Sequence, residues 1–242
     1  RWSGDDHVWW TGGKVGDTLT LALPIIVGQV SQMLMGVTDS VMIGRAGTVP
    51  LAASAFGGNV FNVFFVVGIG LMIPVSILVS RARGAAKAEE AGEYLRHGMT
   101  LALIFGAVET LMMVGLGTQL ARFGQPPEVL AVVMPFYLMM AASITSVFVY
   151  LVLRQFAEAM GHPWVPMVIM LCGVGLNAAL NWVFIYGHLG MPALGLTGAG
   201  ISTLVSRAVG ALVIFYWLRQ DPAVRAAWPR RWFGQYSRAR FR

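Results

Sequence analysis

The sequence predicts an all-α membrane protein, a six-transmembrane-helix bundle, on three observations. Hydrophobic residues make up 57% of the 242 residues and charged ones only 12%, about half the charged share of an ordinary soluble domain, which is too little to coat a water-facing surface. The apolar residues gather into runs of more than twenty, the length a helix needs to cross a hydrocarbon core of about 30 Å at about 1.5 Å per residue. None of these runs alternates in polarity, which disfavours the shorter, dyad-patterned segments of a membrane barrel.

The first run, Leu19 to Ile43, is too long for a signal-peptide core, although Ala53-Ser54-Ala55 resembles a cleavage site, so its retention is expected. The second is Ala52 to Val79. Between it and the third, Leu95 to Leu120, the segment Ala85 to Arg96 mixes Lys87, Glu89, Glu90, Glu93 and Arg96 with alanines, and reads either as a short helix on the membrane surface or as a charged, solvated linker. Gln125-Pro126-Pro127 marks a turn before the fourth run, Leu130 to Leu153. Gly161-His162-Pro163 precedes the fifth, Val165 to Tyr186, and Gly187 to Gly195, with Pro192, precedes the sixth, Leu196 to Leu218. Glycine pairs such as Gly68 and Gly70, or Gly173 and Gly175, read as sites of close helix packing.

Residues 1–18 are accordingly expected to be a cytoplasmic N-terminal segment, 19–218 the membrane body, and 219–242 a basic cytoplasmic tail or the start of a linker. The numbering begins at Arg1 and stops in a basic stretch, so both ends are expected to be cut. Trp9 and Trp10 before the first span, and Trp217, Trp228 and Trp232 around the end of the last, suit the wet–apolar boundary.

Basic residues set the orientation. With the N-terminus inside, inner segments hold fourteen Lys and Arg (Arg154 counted among them), outer loops hold Arg45 and Arg122, and Arg207 lies within a span. Such a bias predicts both termini on the cytoplasmic side of the inner membrane. The net charge of +6 is not arranged as a basic stripe interleaved with aromatics, so nucleic acid is not an expected partner. Cys172 stands alone and His7, His97, His162 and His188 are scattered, so neither an intrachain disulfide nor a metal site is expected.

An ionisable side chain costs several kcal/mol within a lipid-embedded helix, which makes each one a functional candidate. Asp39 lies five residues before Gly44, about 8 Å below the outer end of helix 1. Asn181 falls about 9 Å below Gly187 with Asn177 one turn deeper, and Thr203 about 9 Å below Thr197 on helix 6. These four are expected to share one outer-half layer, where a carboxylate among carboxamides and a hydroxyl can exchange a proton for a cation. Asn177, Asn181 and Thr203 read equally well as hydrogen bonds between helices. Pro24, fifteen residues before Asp39, marks a bending point in helix 1. Glu109 and Arg207 stand near the middle of their spans, and read either as an ion pair between helices 3 and 6 or as charges facing a water-filled cavity.

The run Leu23-Pro24-Ile25-Ile26, followed by Met35 to Gly44 (MGVTDSVMIG), resembles the first helix of MATE (multidrug and toxic compound extrusion) transporters. Gly84 to Ala91 (GAAKAEEA) is similar to their linker between helices 2 and 3, Leu176 to Gly187 (LNAALNWVFIYG) to their helix 5, and Gly198 to Thr203 (GAGIST) to the start of helix 6. The resemblance covers Leu19 to about Leu218 in order. It implies one lobe, the N-terminal half, of a twelve-helix antiporter that exports cationic amphiphiles in exchange for protons or sodium, with no cofactor and with a C-terminal lobe as the missing partner. It also implies that Asp39 is the coupling acid, that Asn177, Asn181 and Thr203 are its neighbours, that helix 1 bends at Pro24, and that Tyr137 is a cavity tyrosine. Some members of the family carry an acid where this chain has Asn181, which leaves the ion open between H+ and Na+.

Three other readings compete. A lipid-linked oligosaccharide flippase of the wider superfamily would call for several cavity arginines, against one central Arg207 here. An enzyme lacks support: H-E-x-x-H and G-x-S-x-G are absent, and the G-x-G-x-x-A match from Gly173 to Ala178 lies inside a span, not after a strand. An inactive truncated fragment is the third.

Overall fold

A computed structural model of the protein describes residues 12–225 and 227–229. Six long helices account for nearly all of them: α1 (Gly12–Ala46), α2 (Thr48–Gly84), α3 (Ala88–Gly117), α4 (Pro127–Ala159), α5 (Trp164–Tyr186) and α6 (Leu196–Gln220), followed by a short α7 (Pro222–Arg225). All six are long and apolar enough to cross a membrane, and the chain is a multi-pass membrane protein. Arg1, Trp9, Trp10, Arg230, Arg231, Trp232, Arg238, Arg240 and Arg242 lie outside the described residues.

Each predicted run lies within one helix, except at the end of the third. There Thr118 and Gln119 donate back to Gly115 and Leu116, tightening the last turn, so that α3 ends at Gly117 and Leu120 begins a separate 3-10 turn, Leu120–Phe123. The segment Ala85 to Arg96 is neither a detached surface helix nor a solvated linker. Only Ala85, Ala86 and Lys87 separate α2 from α3, with Ala86 in the left-handed region at φ 55°. Glu89 and Glu90 occupy the first turn of α3, where carboxylates favour the exposed N–H groups, and Lys87 Nζ lies 2.9 Å from Glu90 Oε1. Ala91, Gly92 and Leu95 are buried, with the Ala227 carbonyl packed against Gly92. Packing of that face, invisible in the charge pattern, carries α3 through to its polar start.

α4 is the centre of the bundle. Half of its most apolar window is buried inside the protein, against 11% for α1, and it packs on α2, α3 and α6. α1 packs mainly on α5 and α2, and α5 on α6 and α1. The helices α1, α2, α4, α6 and α5 therefore close a ring, with α3 outside it against α2 and α4. The connection from α1 to α2 is Gly47 alone, at φ 137°, a conformation that costs glycine little and other residues much. At the α5–α6 hairpin Gly187, φ 77°, caps α5 by donating to the Val183 carbonyl, and a side chain there would meet the Ala193 backbone nitrogen at 2.6 Å.

Small residues set the helix spacing. A Cβ on Gly68 would fall inside the Phe148 ring, joining α2 to α4, and one on Gly106 would meet Thr145 Cα at 2.8 Å, joining α3 to α4. Gly70 and Gly175 have no neighbour within 4 Å of such an atom, so the sequence pairs are not both packing sites. Filling the Gly68 site forces Phe148 to move, whereas filling the Gly70 site disturbs nothing. Gly68→Ala should lower stability by about 1–3 kcal/mol, read as a fall in the thermal unfolding midpoint in detergent, while Gly70→Ala leaves the midpoint unchanged or higher; equal midpoints for the two variants would refute the α2–α4 contact.

Candidate functional site

The ring encloses a cavity of about 290 Å³, near the lower end of the size that holds drug-like molecules. Its walls come from α1, α2, α4, α5 and α6, and among the described residues none of α3 reaches it. Phe61 and Phe65 of α2 and Tyr150 of α4 supply aromatic surface, and three charged residues line it: Asp39, Arg154 and Arg207.

Asp39 sits seven residues before the end of α1, about 10 Å below it. Asn181 Nδ2 donates to Asp39 Oδ1 at 2.6 Å and to Asn177 Oδ1 at 3.2 Å. Both asparagines lie one turn apart on the same face of α5, fully buried. One turn further toward the C-terminal end of each helix, the Tyr186 hydroxyl donates to the Met42 carbonyl at 2.8 Å, so the C-terminal half of α1 is held on α5 at two levels. Asn181 Oδ1 and Asn177 Nδ2 are buried and have no partner among the described residues. The cluster thus retains one acceptor and one donor beside an acid that faces a cavity.

Thr203 does not join it. Its hydroxyl donates to Ala199 of its own helix at 3.0 Å, the local bond open to a threonine inside a helix. Counting residues along the helix does not give the direction its side chain takes. Pro24 is buried within α1, which is helical on both sides of it.

Glu109 and Arg207 do not pair. α3 and α6 each pack on α4, and their pairing with each other is not among the substantial helix contacts, so equal depth does not bring the two side chains together. Glu109 is buried, with Oε2 unpartnered among the described residues. Arg207 Nη1 instead donates to Ser143 Oγ of α4 at 2.7 Å and approaches Met140 Sδ at 3.9 Å, and the guanidinium carbon lies 4.6 Å from the Phe61 ring centre. Tyr137 is likewise not a cavity residue: fully buried, it donates to the Met113 carbonyl of α3 at 2.9 Å. Tyr150, three turns along α4, lines the cavity in its place and donates to Pro166 of α5 at 3.1 Å.

Arg154 was missed because it ends an apolar run and so counts as an inner-loop cation. It lies inside α4, 8% exposed, with Nε donating to Glu158 Oε1 at 2.7 Å and Nη1 3.4 Å from Gln29 Oε1 of α1. The signal for it was the Arg154–Glu158 spacing, one helical turn, which lets an arginine enter a bundle with its own counter-ion. Removing it from the fourteen inner cations leaves the charge bias intact.

The MatE family model matches residues 24–183, more than half of the chain. Among curated relatives, the chain is 29% identical over 203 residues to "Probable multidrug resistance protein NorM" of Neisseria meningitidis serogroup B, covering 84% of this chain and 44% of the relative. It is 35% identical over 187 residues to the protein of the same name from Bradyrhizobium diazoefficiens, covering 77% and 40%. Among solved structures, an outward-facing multidrug resistance MATE family transporter of the MOP superfamily superposes with a TM-score of 0.81 at 28% identity, covering 92% of this chain and 49% of that one. A MOP superfamily transporter from Pyrococcus furiosus, described as having a binding pocket of reversed polarity, gives 0.76 at 28% identity, covering 84% and 44%. The chain spans just under half the length of the relatives it matches.

Double-mutant cycles distinguish the observed partner of Arg207, Ser143, from the one expected from depth, Glu109. In thermal unfolding, Arg207→Gln with Ser143→Ala should show a coupling of about 1.5–3 kcal/mol, as for a hydrogen bond to a charged group, and Arg207→Gln with Glu109→Gln one below about 0.5 kcal/mol. The reverse order would mean that the two central charges do pair.

Proposed function

The chain belongs to the MatE family, and from that premise we propose that it forms the N-terminal lobe of a cation-coupled antiporter that exports cationic amphiphilic compounds in exchange for H+ or Na+. The observation that carries this is Asp39: a carboxylate facing an aromatic-walled cavity, with its Oδ1 held by Asn181 and an unpartnered carboxamide oxygen close by. An ionised Asp39 attracts a lipophilic cation into the cavity, while the aromatic rings take up its apolar body. Arrival of H+ or Na+ at the same carboxylate cancels that attraction and releases the passenger. Asn181 orients the acid for both partners, and its free oxygen offers a further ligand to the incoming ion.

Neutralising Asp39 also weakens its charge-assisted bond to Asn181. The outer half of α1 is then held on α5 mainly by packing and by Tyr186, and Pro24 gives α1 a place to bend. Alternating access needs a second lobe to rock against this one, and we assign that role to a C-terminal half, as in relatives of twice this length. The distribution of Lys and Arg supports both termini on the cytoplasmic face of the inner membrane. A flippase for lipid-linked oligosaccharides is less well supported, since the second cavity arginine, Arg154, is already matched by Glu158.

In the full-length transporter, Asp39→Asn should reduce ethidium efflux from cells to the background level while leaving the amount of folded protein unchanged; efflux at the parental rate ends the claim of Asp39 to coupling. For the orientation, Cys172→Ser protein carrying Gln125→Cys or Lys87→Cys should react with a membrane-impermeant maleimide on intact cells at position 125 and not at 87. Labelling at 87 alone inverts the topology.

A further inference from the structure

An arginine inside the hydrocarbon layer is costly enough to need an explanation, and Glu109 does not provide one for Arg207. Both of its polar contacts, to Ser143 and Met140, come from a single nitrogen, Nη1. Among the described residues Nε and Nη2 make no hydrogen bond. A guanidinium has five N–H donors in a planar fork, so most of this one's capacity is unused, and the side chain lines the cavity. Its stack on Phe61 holds the fork in place.

Asp39 lines the same cavity from α1 while Arg207 lines it from α6. Among the described residues the two form no ion pair. The cavity therefore has a negative and a positive side, with space between them. A ligand carrying only a cation gains Asp39 but meets repulsion from Arg207; one carrying only an anion has the opposite problem. A ligand with both charges satisfies both walls, and its carboxylate can take two parallel N–H bonds from one guanidinium.

We propose that Arg207 is a specificity-determining residue that makes this cavity bipolar and selects amphiphiles carrying a carboxylate as well as a cationic nitrogen. The proposal rests on the drug-binding reading of the cavity given above and narrows its substrate class.

Rhodamine B, a zwitterion at neutral pH, and its methyl ester, a monocation, differ only in whether the carboxylate is free. Their binding to the purified full-length transporter in nanodiscs is read by fluorescence polarisation. The wild type should bind rhodamine B more tightly than the ester. Arg207→Gln should weaken rhodamine B about tenfold or more, a loss of about 1.4 kcal/mol, and leave the ester unchanged or tighter. Arg207→Lys, which keeps the charge without the fork, should weaken rhodamine B by a smaller factor. Asp39→Asn should weaken both dyes, since both carry the cation. Equal weakening of both dyes by Arg207→Gln, or no change in rhodamine B, overturns the role given to Arg207 and leaves the cation site standing. Failure of the wild type to bind either dye overturns the drug-cavity reading and this proposal with it. Size-exclusion profiles of the variants matching the wild type ensure that a misfolded Arg207→Gln is not scored, and in that case the Arg207→Lys comparison decides by the same criterion.

Discussion

Within a hydrocarbon layer no water is available to a polar group, so an unpartnered one is costly and a partner inside the bundle is strongly favoured. This constraint organises the lobe. Tyr137 meets it on the Met113 carbonyl and Thr110 on that of Ala141, both between α3 and α4. Tyr150 meets it on Pro166 between α4 and α5, Arg207 on Ser143 between α6 and α4, and Asn181 on Asp39 between α5 and α1. Apolar packing alone discriminates weakly among helix faces when lipid tails are just as apolar as leucine. These few polar bonds are what fix which face of each helix turns inward, and the cavity is the region they leave open.

The six spans were legible because the run of apolar residues that crosses a bilayer is set by its thickness, and each of the six matches one helix. What hydropathy cannot supply is rotation about the helix axis. Depth counting placed Asp39, Asn177, Asn181 and Thr203 at similar levels, and the acid with the two asparagines does meet, because their i,i+4 spacing fixes one shared face. For Thr203 no such spacing constrained the facing, and its hydroxyl turns to its own backbone. Equal depth likewise suggested Glu109 for Arg207, but α4 stands between their helices. Arg154 was misplaced for a different reason: a charge ends an apolar run whether it leaves the membrane or is carried inward beside a counter-ion such as Glu158.

The lobe is also unevenly bound together. α4 is buried along half of its apolar window, and glycines at 68 and 106 bring α2 and α3 close against neighbouring helices. α1 buries the least of the six, and its tie to α4 is the long Arg154–Gln29 contact. The charged residue on which the proposed exchange depends is thus carried by the wall with the least packing to lose, while the aromatic surface and Arg207 belong to helices packed around the rigid centre. A site built across that boundary joins a lightly packed wall to densely packed ones.

The single glycine between α1 and α2 bears on how these two walls of the cavity can move apart. Two helices joined by one residue have their ends within a few ångströms of each other, since successive Cα atoms are only about 3.8 Å apart. At that corner the two helices cannot separate, however far α1 swings at its other end. Any parting of α1 from α2 therefore opens from the far end, so Gly47 is the pin of a hinge whose leaves separate only away from that corner.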